Sequence, residues 1–202
     1  MNKIISMAVV MTACLTANAQ VSNFTGTNLG ANLAMAAAGF TQTVGTLTAD
    51  GVGQQNMGLT LSASHGIGMS NSAVLLFGFD YALTEIKAGS ASIGAVTSSA
   101  VAKNAWTLSA APGFLLSDST LAYLKVGYEG AQAVNTTTGT SDSTKNITGT
   151  SLGFGIRTMV NKTSYLQVEG KQMNYGAARY DGSTADFTAR GTVASIGFGV
   201  KF

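Results

Sequence analysis

The sequence predicts an all-β fold, an eight-stranded antiparallel up-and-down transmembrane β-barrel. Three observations lead there. Charged residues make up only 10% of the 202 residues, against about 25% in soluble domains. After the first 20 residues no apolar run long enough for a membrane helix occurs, since such a helix needs about 18 or more. Three short polar clusters, Ser70-Asn71-Ser72, Ser117-Asp118-Ser119 and Asn161-Lys162-Thr163, each lie between two segments of alternating apolar and polar residues, a repeated hairpin signature. A positive mean hydropathy without a long apolar run is what a membrane barrel shows, because its apolar residues occupy every second position.

The N-terminus reads as an export signal over residues 1–19. Lys3 gives the positive start, Ile4 to Ala13 the apolar stretch, and Ala17-Asn18-Ala19 the small-x-small cleavage pattern, with Gln20 opening the mature chain. The competing reading is a lipoprotein signal ending at Cys14. Cys14 is the only cysteine, so a processed chain has no disulfide and no thiol chemistry. Residues 20–202 then form the barrel domain.

The strands are expected near 24–36, 56–68, 73–84, 102–115, 120–131, 149–159, 164–175 and 188–202, each long enough for the 9–11 tilted residues of a membrane strand. The stretch Leu33 to Ala38 has helix propensity, but its Asn and Gly flanks favour strand. Longer intervals rich in Thr, Ser, Gly and Asn, near 38–55, 86–100, 132–147 and 176–187, read as loops at the opposite end from the short turns.

Alternation assigns the two faces, because successive strand residues point to opposite sides. In the last strand Ala194, Ile196, Phe198, Val200 and Phe202 share one face and Ser195, Gly197, Gly199 and Lys201 the other. The same division sets Leu124, Val126 and Tyr128 against Lys125, Gly127 and Glu129, and Phe77, Phe79 and Tyr81 against Gly78 and Asp80. With this parity the strand cores hold seven charges on the inner face, Asp80, Lys125, Glu129, Arg157, Glu169, Lys171 and Lys201, and none on the outer. An Arg or Lys at the lipid midplane costs about 2–4 kcal/mol, so the register is well specified. Trp106, Tyr128 and Tyr175 are expected in an interfacial belt at the loop end, and Phe114, Tyr165 and Phe202 in one at the turn end. Pro112 removes a ladder donor, so a bulge or irregular stretch is expected there.

The run from Trp106 through Pro112, Phe114, Tyr123 and Gly127 to Tyr128 resembles the central hairpin of the small outer-membrane barrel family, which includes opacity-type proteins and the membrane domain of OmpA. The ending Ile196, Phe198, Val200 and Phe202 is similar to the C-terminal signal read by barrel-assembly machinery. The resemblance implies insertion in the bacterial outer membrane among its lipids and lipopolysaccharide, a transient assembly partner, and roles in envelope integrity or adhesion.

Candidate chemistry is sparse. Eight strands leave room for little beyond side chains and buried charges must be paired, so the inner charges read as a structural network, with Glu169 paired to Arg157 or Lys125. His65, the only histidine, falls on the outer face near the turn end, with Ser64 on the opposite face and no acid placed to orient it, which argues against a catalytic site. One histidine and no mature cysteine argue against zinc. The Gly-x-Gly pairs lack the third glycine of a dinucleotide loop, Asp142, Asp181 and Asp186 lack calcium-loop spacing, and no basic block suggests nucleic acid. No cofactor is expected. The leading reading is a structural or surface-interaction barrel acting through four loops. A narrow porin-like channel comes second, and a lipid-modifying enzyme third.

Overall fold

The computed structural model describes residues 21–44, 47–50, 53–93, 96–137, 139, 142–179 and 186–202. The proposed export signal, Cys14 and Asp181 lie outside them. The strands among the described residues are β1 (Gly26–Val44), β2 (Leu47–Asp50), β3 (Gln54–Gly68), β4 (Ala73–Ala82), β5 (Ile86–Ile93), β6 (Val96–Ser117), β7 (Thr120–Thr137), β8 (Ser143–Met159), β9 (Ser164–Tyr175), β10 (Ala178–Arg179) and β11 (Asp186–Lys201).

Eight of these make the wall, in the order β1, β3, β4, β6, β7, β8, β9, β11, each antiparallel to the next. β11 pairs back onto β1 from Asn28↔Lys201 to Thr43↔Asp186, closing the cylinder. Closure leaves no free edge, as a strand wall in a bilayer requires, because an unpaired backbone group there costs several kcal/mol. The remaining pieces β2, β5 and β10 lengthen hairpins at the loop end.

The three polar clusters form the tight turns between β3 and β4, β6 and β7, and β8 and β9. In the third, Asn161 Oδ1 accepts from the Thr163 and Ser164 amides at 2.9 and 2.8 Å, the side-chain mimic of a backbone turn for which Asn is favoured. The opposite ends differ from expectation. Among their described residues, the intervals read as loops near 38–55, 86–100 and 132–147 are largely strand, with β6 reaching down to Val96, β7 up to Thr137 and β8 starting at Ser143, while the interval near 176–187 holds β10 and the start of β11. Above the lipid no apolar face is demanded, so the alternation fades while the ladder persists. Thr-rich segments keep their β propensity there.

Parity holds along the wall. Leu124, Val126, Phe154, Ile156, Ile196 and Phe198 are exposed, whereas Lys125, Glu129, Arg157, Gln167 and Glu169 are buried. Leu33 to Ala38 lies within β1. Two of the belt expectations are corrected. Tyr165 and Tyr175 are 1% and 9% exposed and point inward, on the same parity as Glu169. Trp106 and Tyr128 do stand outside, with ring centroids 5.9 Å apart. The Trp106 ring lies over Gly130, its cross-strand partner, and covers a position with no side chain of its own.

Pro112 makes no bulge. The ladder to β7 has no pair at Ala111 or Pro112 and resumes in the same register at Gly113, while Pro112 stays paired with Leu75 of β4. The missing donor is thus accommodated by a local interruption. Register shifts occur elsewhere in β6, at Lys103/Trp106 and Leu115/Ser117. Asn104 sits in the first with φ 50°, a left-handed conformation that Asn tolerates better than most residues.

Candidate functional site

The inward side chains fall into three layers. At the turn end Phe24, Val74, Leu76, Ala111, Leu115, Leu121 and Tyr123 form an apolar cluster. Towards the loop end Ala105, Ala131, Ile147, Met173 and Tyr175 form a second. Between them lies a layer of charged and amide side chains.

Lys125, on β7, is the hub of that layer. Its Nζ donates to Asp80 Oδ2 at 2.7 Å and to Glu169 Oε1 and Oε2 at 2.9 and 3.1 Å. Tyr123 donates its hydroxyl to Glu169 Oε2 at 3.1 Å. A second group lies nearer the loop end, where Lys171 Nζ donates to Glu129 Oε1 at 3.0 Å and to Thr107 Oγ1 at 2.9 Å, and Thr107 donates to Glu129 Oε2 at 2.7 Å. Of the two partners expected for Glu169, Lys125 is the one bonded. Arg157 instead donates to Gln167 Oε1 from Nε and Nη2 at 3.2 and 2.9 Å. Its guanidinium also lies 4.2 Å from the Tyr165 ring centroid, a cation–π contact. Gln167 passes the chain on to Asn32 Oδ1 at 2.8 Å.

The layer therefore brings together six of the seven charges read from the sequence, three acids and three bases. Lys201 is not among them. It faces inward at the turn end, where its Nζ bonds the Ser22 carbonyl oxygen. Tyr123, Thr107, Gln167, Asn32 and Tyr165 complete the layer and were not assigned to it from the sequence, although all lie on inward positions.

Among the described residues, two cavities border the charged layer. One of about 70 Å³ lies towards the loop end of the charged layer and touches Asp80, Glu129, Glu169 and Lys171. The other, of about 30 Å³, lies on the turn side, against Ser62, Ser64, Lys125 and Arg157. These are spaces for a few waters at most.

His65 is exposed on the outer wall, its Nδ1 3.2 Å from Thr27 Oγ1, with no carboxylate bonded to it among the described residues. No group of His, Cys, Asp and Glu side chains among the described residues is arranged to hold a metal. Phe198, Val200 and Phe202 lie on the lipid-facing side of β11, with Phe202 74% exposed.

Residues 6–202 match the model of the outer membrane protein β-barrel domain. The chain belongs to the outer membrane β-barrel family. Members of this family reside in the bacterial outer membrane, which assigns the apolar outer wall to lipid. Among solved structures, this outer membrane β-barrel is similar to Neisserial surface protein A, with 18% identity, a TM-score of 0.56, and coverage of 88% of this chain and 98% of that one. It is also similar to Ail, the attachment invasion locus protein of Yersinia pestis, with 12% identity, a TM-score of 0.51, and coverage of 88% and 99%. Ail is known too in complex with the heparin analogue sucrose octasulfate. At these identities the likeness shows the fold. No curated protein sequence matches.

Proposed function

We propose that this outer-membrane barrel conducts no solute and performs no chemistry, and that its working surface is the loop end, displayed outside the cell for surface attachment. The observation that carries the reading is the layered lumen. A charged layer with its bonds made internally lies between two apolar clusters, and an ion crossing either cluster would lose hydration without gaining a ligand. The charge network is then structural. Asp80, Glu129 and Glu169 balance Lys125, Lys171 and Arg157, so this layer is neutral as a whole. The name of Ail as an attachment invasion locus protein is consistent with the loop end as the working surface.

On this reading the partners are outer-membrane lipids and lipopolysaccharide around the wall, an extracellular ligand at the loops, and assembly machinery that reads Phe198, Val200 and Phe202. The export signal is removed after Ala19 on translocation, so mass spectrometry of protein taken from outer membranes is expected to show a chain beginning at Gln20. The decisive test of the closed lumen is conductance in planar bilayers. Reconstituted protein is expected to give no recurrent unitary steps in molar KCl. Stable single-channel openings would replace this reading with that of a narrow channel.

A further inference from the structure

We propose that residues Val21–Thr25 are a removable cork that seals the turn-end mouth of the lumen. The seal at this end comes from a segment ahead of the first wall strand, and it can leave without breaking a ladder bond.

The seat is written into the wall as missing side chains. The inward positions at the turn end of β3 are Gly66 and Gly68. A Cβ on Gly66 would run into the Phe24 carbonyl, and one on Gly68 would come within 2.8 Å of Val21 Cγ1. On the next strands round the wall, β4, β6 and β7, the inward positions are bulky, with Val74, Leu76, Leu115 and Leu121 all 7% exposed or less. The bare side thus accepts main chain, and the bulky side accepts the Phe24 ring, which is 1% exposed within the turn-end apolar cluster.

The tethers are few. Val21–Asn23 is a single 3-10 turn, with Phe24 N bonded to Val21 O at 2.9 Å. Asn23 Nδ2 reaches across to the Asp118 carbonyl at 2.7 Å, in the turn between β6 and β7. Lys201 Nζ bonds the Ser22 carbonyl on the near side. Ladder pairing begins only at Gly26↔Gly66. Gly26 itself has φ 87°, a left-handed conformation open to glycine, and is where the chain turns from the cork into the wall. The cork is therefore a short arm on a glycine hinge, held by one ring and two side-chain bonds. Lys201, the one of the seven inward charges read from the sequence that lies outside the central layer, has its partner here.

Accessibility of the turn-side cavity tests this. Ser62 lines that cavity, and its hydroxyl is buried without a hydrogen-bond partner, so Ser62→Cys in a Cys14→Ser background is a mild reporter. Ser195→Cys, at a position lining the loop-side cavity, is the control. Each is labelled with methyl methanethiosulfonate in lipid nanodiscs and followed by intact mass. Seated barrels are expected to label slowly at the turn-side thiol. Phe24→Gly, and independently Gly66→Val, which removes the seat and leaves the cork sequence intact, are expected to raise that rate at least tenfold and to leave the control thiol within twofold. Asn23→Ala cuts only the anchor, leaves the wall untouched, and is expected to give a smaller rise in the same direction. Heat-modifiable migration shows which variants retain the barrel. An unchanged rate at the turn-side thiol in folded variants would overturn the proposal. So would an equal rise at both thiols, since that reports loosening of the whole barrel.

Discussion

Replacing Lys125 by methionine removes a cation that serves two carboxylates at once. Its Nζ lies 2.7 Å from Asp80 and 2.9 Å from Glu169, and the three side chains are 10%, 15% and 9% exposed. Methionine nearly preserves length and volume, so no large cavity is created. What remains is a pair of buried acids without their shared counter-charge. Removing one partner of a buried pair costs about 3–5 kcal/mol. Arg157 borders the same small cavity as both acids and offsets part of the loss, which places the expectation near 3 kcal/mol. At about 1.4 kcal/mol per decade this is roughly a 150-fold fall in the folding equilibrium constant. The assay is reversible urea unfolding in lipid vesicles, followed by the fluorescence of Trp106, the only tryptophan. Midpoints are compared at equal slope, so that stability alone is read. The triple variant Lys125→Met, Asp80→Asn, Glu169→Gln is expected to return to within about 1 kcal/mol of wild type, because no charge is left stranded. A single-variant loss below about 1 kcal/mol, the scale of an exposed ion pair, would refute the argument that this layer is shielded and its pairing obligatory.

Three other outcomes follow from the same geometry. Phe154→Arg, at a wall position 67% exposed, is expected to destabilise by about 2–4 kcal/mol in vesicles, and an equal stability to wild type would show that this face does not meet lipid. Trp106→Ala uncovers Gly130 and removes the ring pair with Tyr128; a loss of about 1–3 kcal/mol, from buried area and ring contact together, is expected by urea titration followed by far-ultraviolet circular dichroism. Asn104→Gly is expected to be tolerated within about 1 kcal/mol, whereas Asn104→Val is expected to cost at least about 1–2 kcal/mol more, because a β-branched side chain resists the left-handed backbone at this bulge. Comparing the two unfolding midpoints checks it.

The wall was legible in the sequence because lipid imposes a strict rule. A register error in β7 would carry Lys125 and Glu129 into acyl chains, so the parity of Leu124, Val126 and Tyr128 had to be regular. The turns were legible because Asn161 and its serine-rich counterparts do local work. Tyr165 and Tyr175 show how a good rule can be outweighed by a weaker one. Their odd positions in β9 already placed them with Gln167 and Glu169, yet the general preference of tyrosine for membrane interfaces suggested the outer face. The loop-end strands were hidden because, outside the bilayer, Thr and Ser serve both faces equally. Pairing choices within the lumen depend on how strands distant in sequence are staggered. Alternation therefore allowed Glu169 to meet either Lys125 or Arg157 and could not choose between them. The seat for the cork was visible only as Gly66 and Gly68, which alone do not say what fills the space.

The length of β6 has a consequence for how the molecule meets its surroundings. Its 22 residues, at ~3.3 Å rise each and tilted by ~40°, give a height of ~55 Å, against an apolar band of ~25 Å. With the turn end close to the inner surface, roughly 30 Å of hydrogen-bonded ribbon projects beyond the acyl region. That ribbon is a pedestal. It carries the described loop-end ladder beyond the acyl region. A ligand meeting that ladder would find backbone already hydrogen-bonded, with less entropy left to lose on docking than a slack chain would demand.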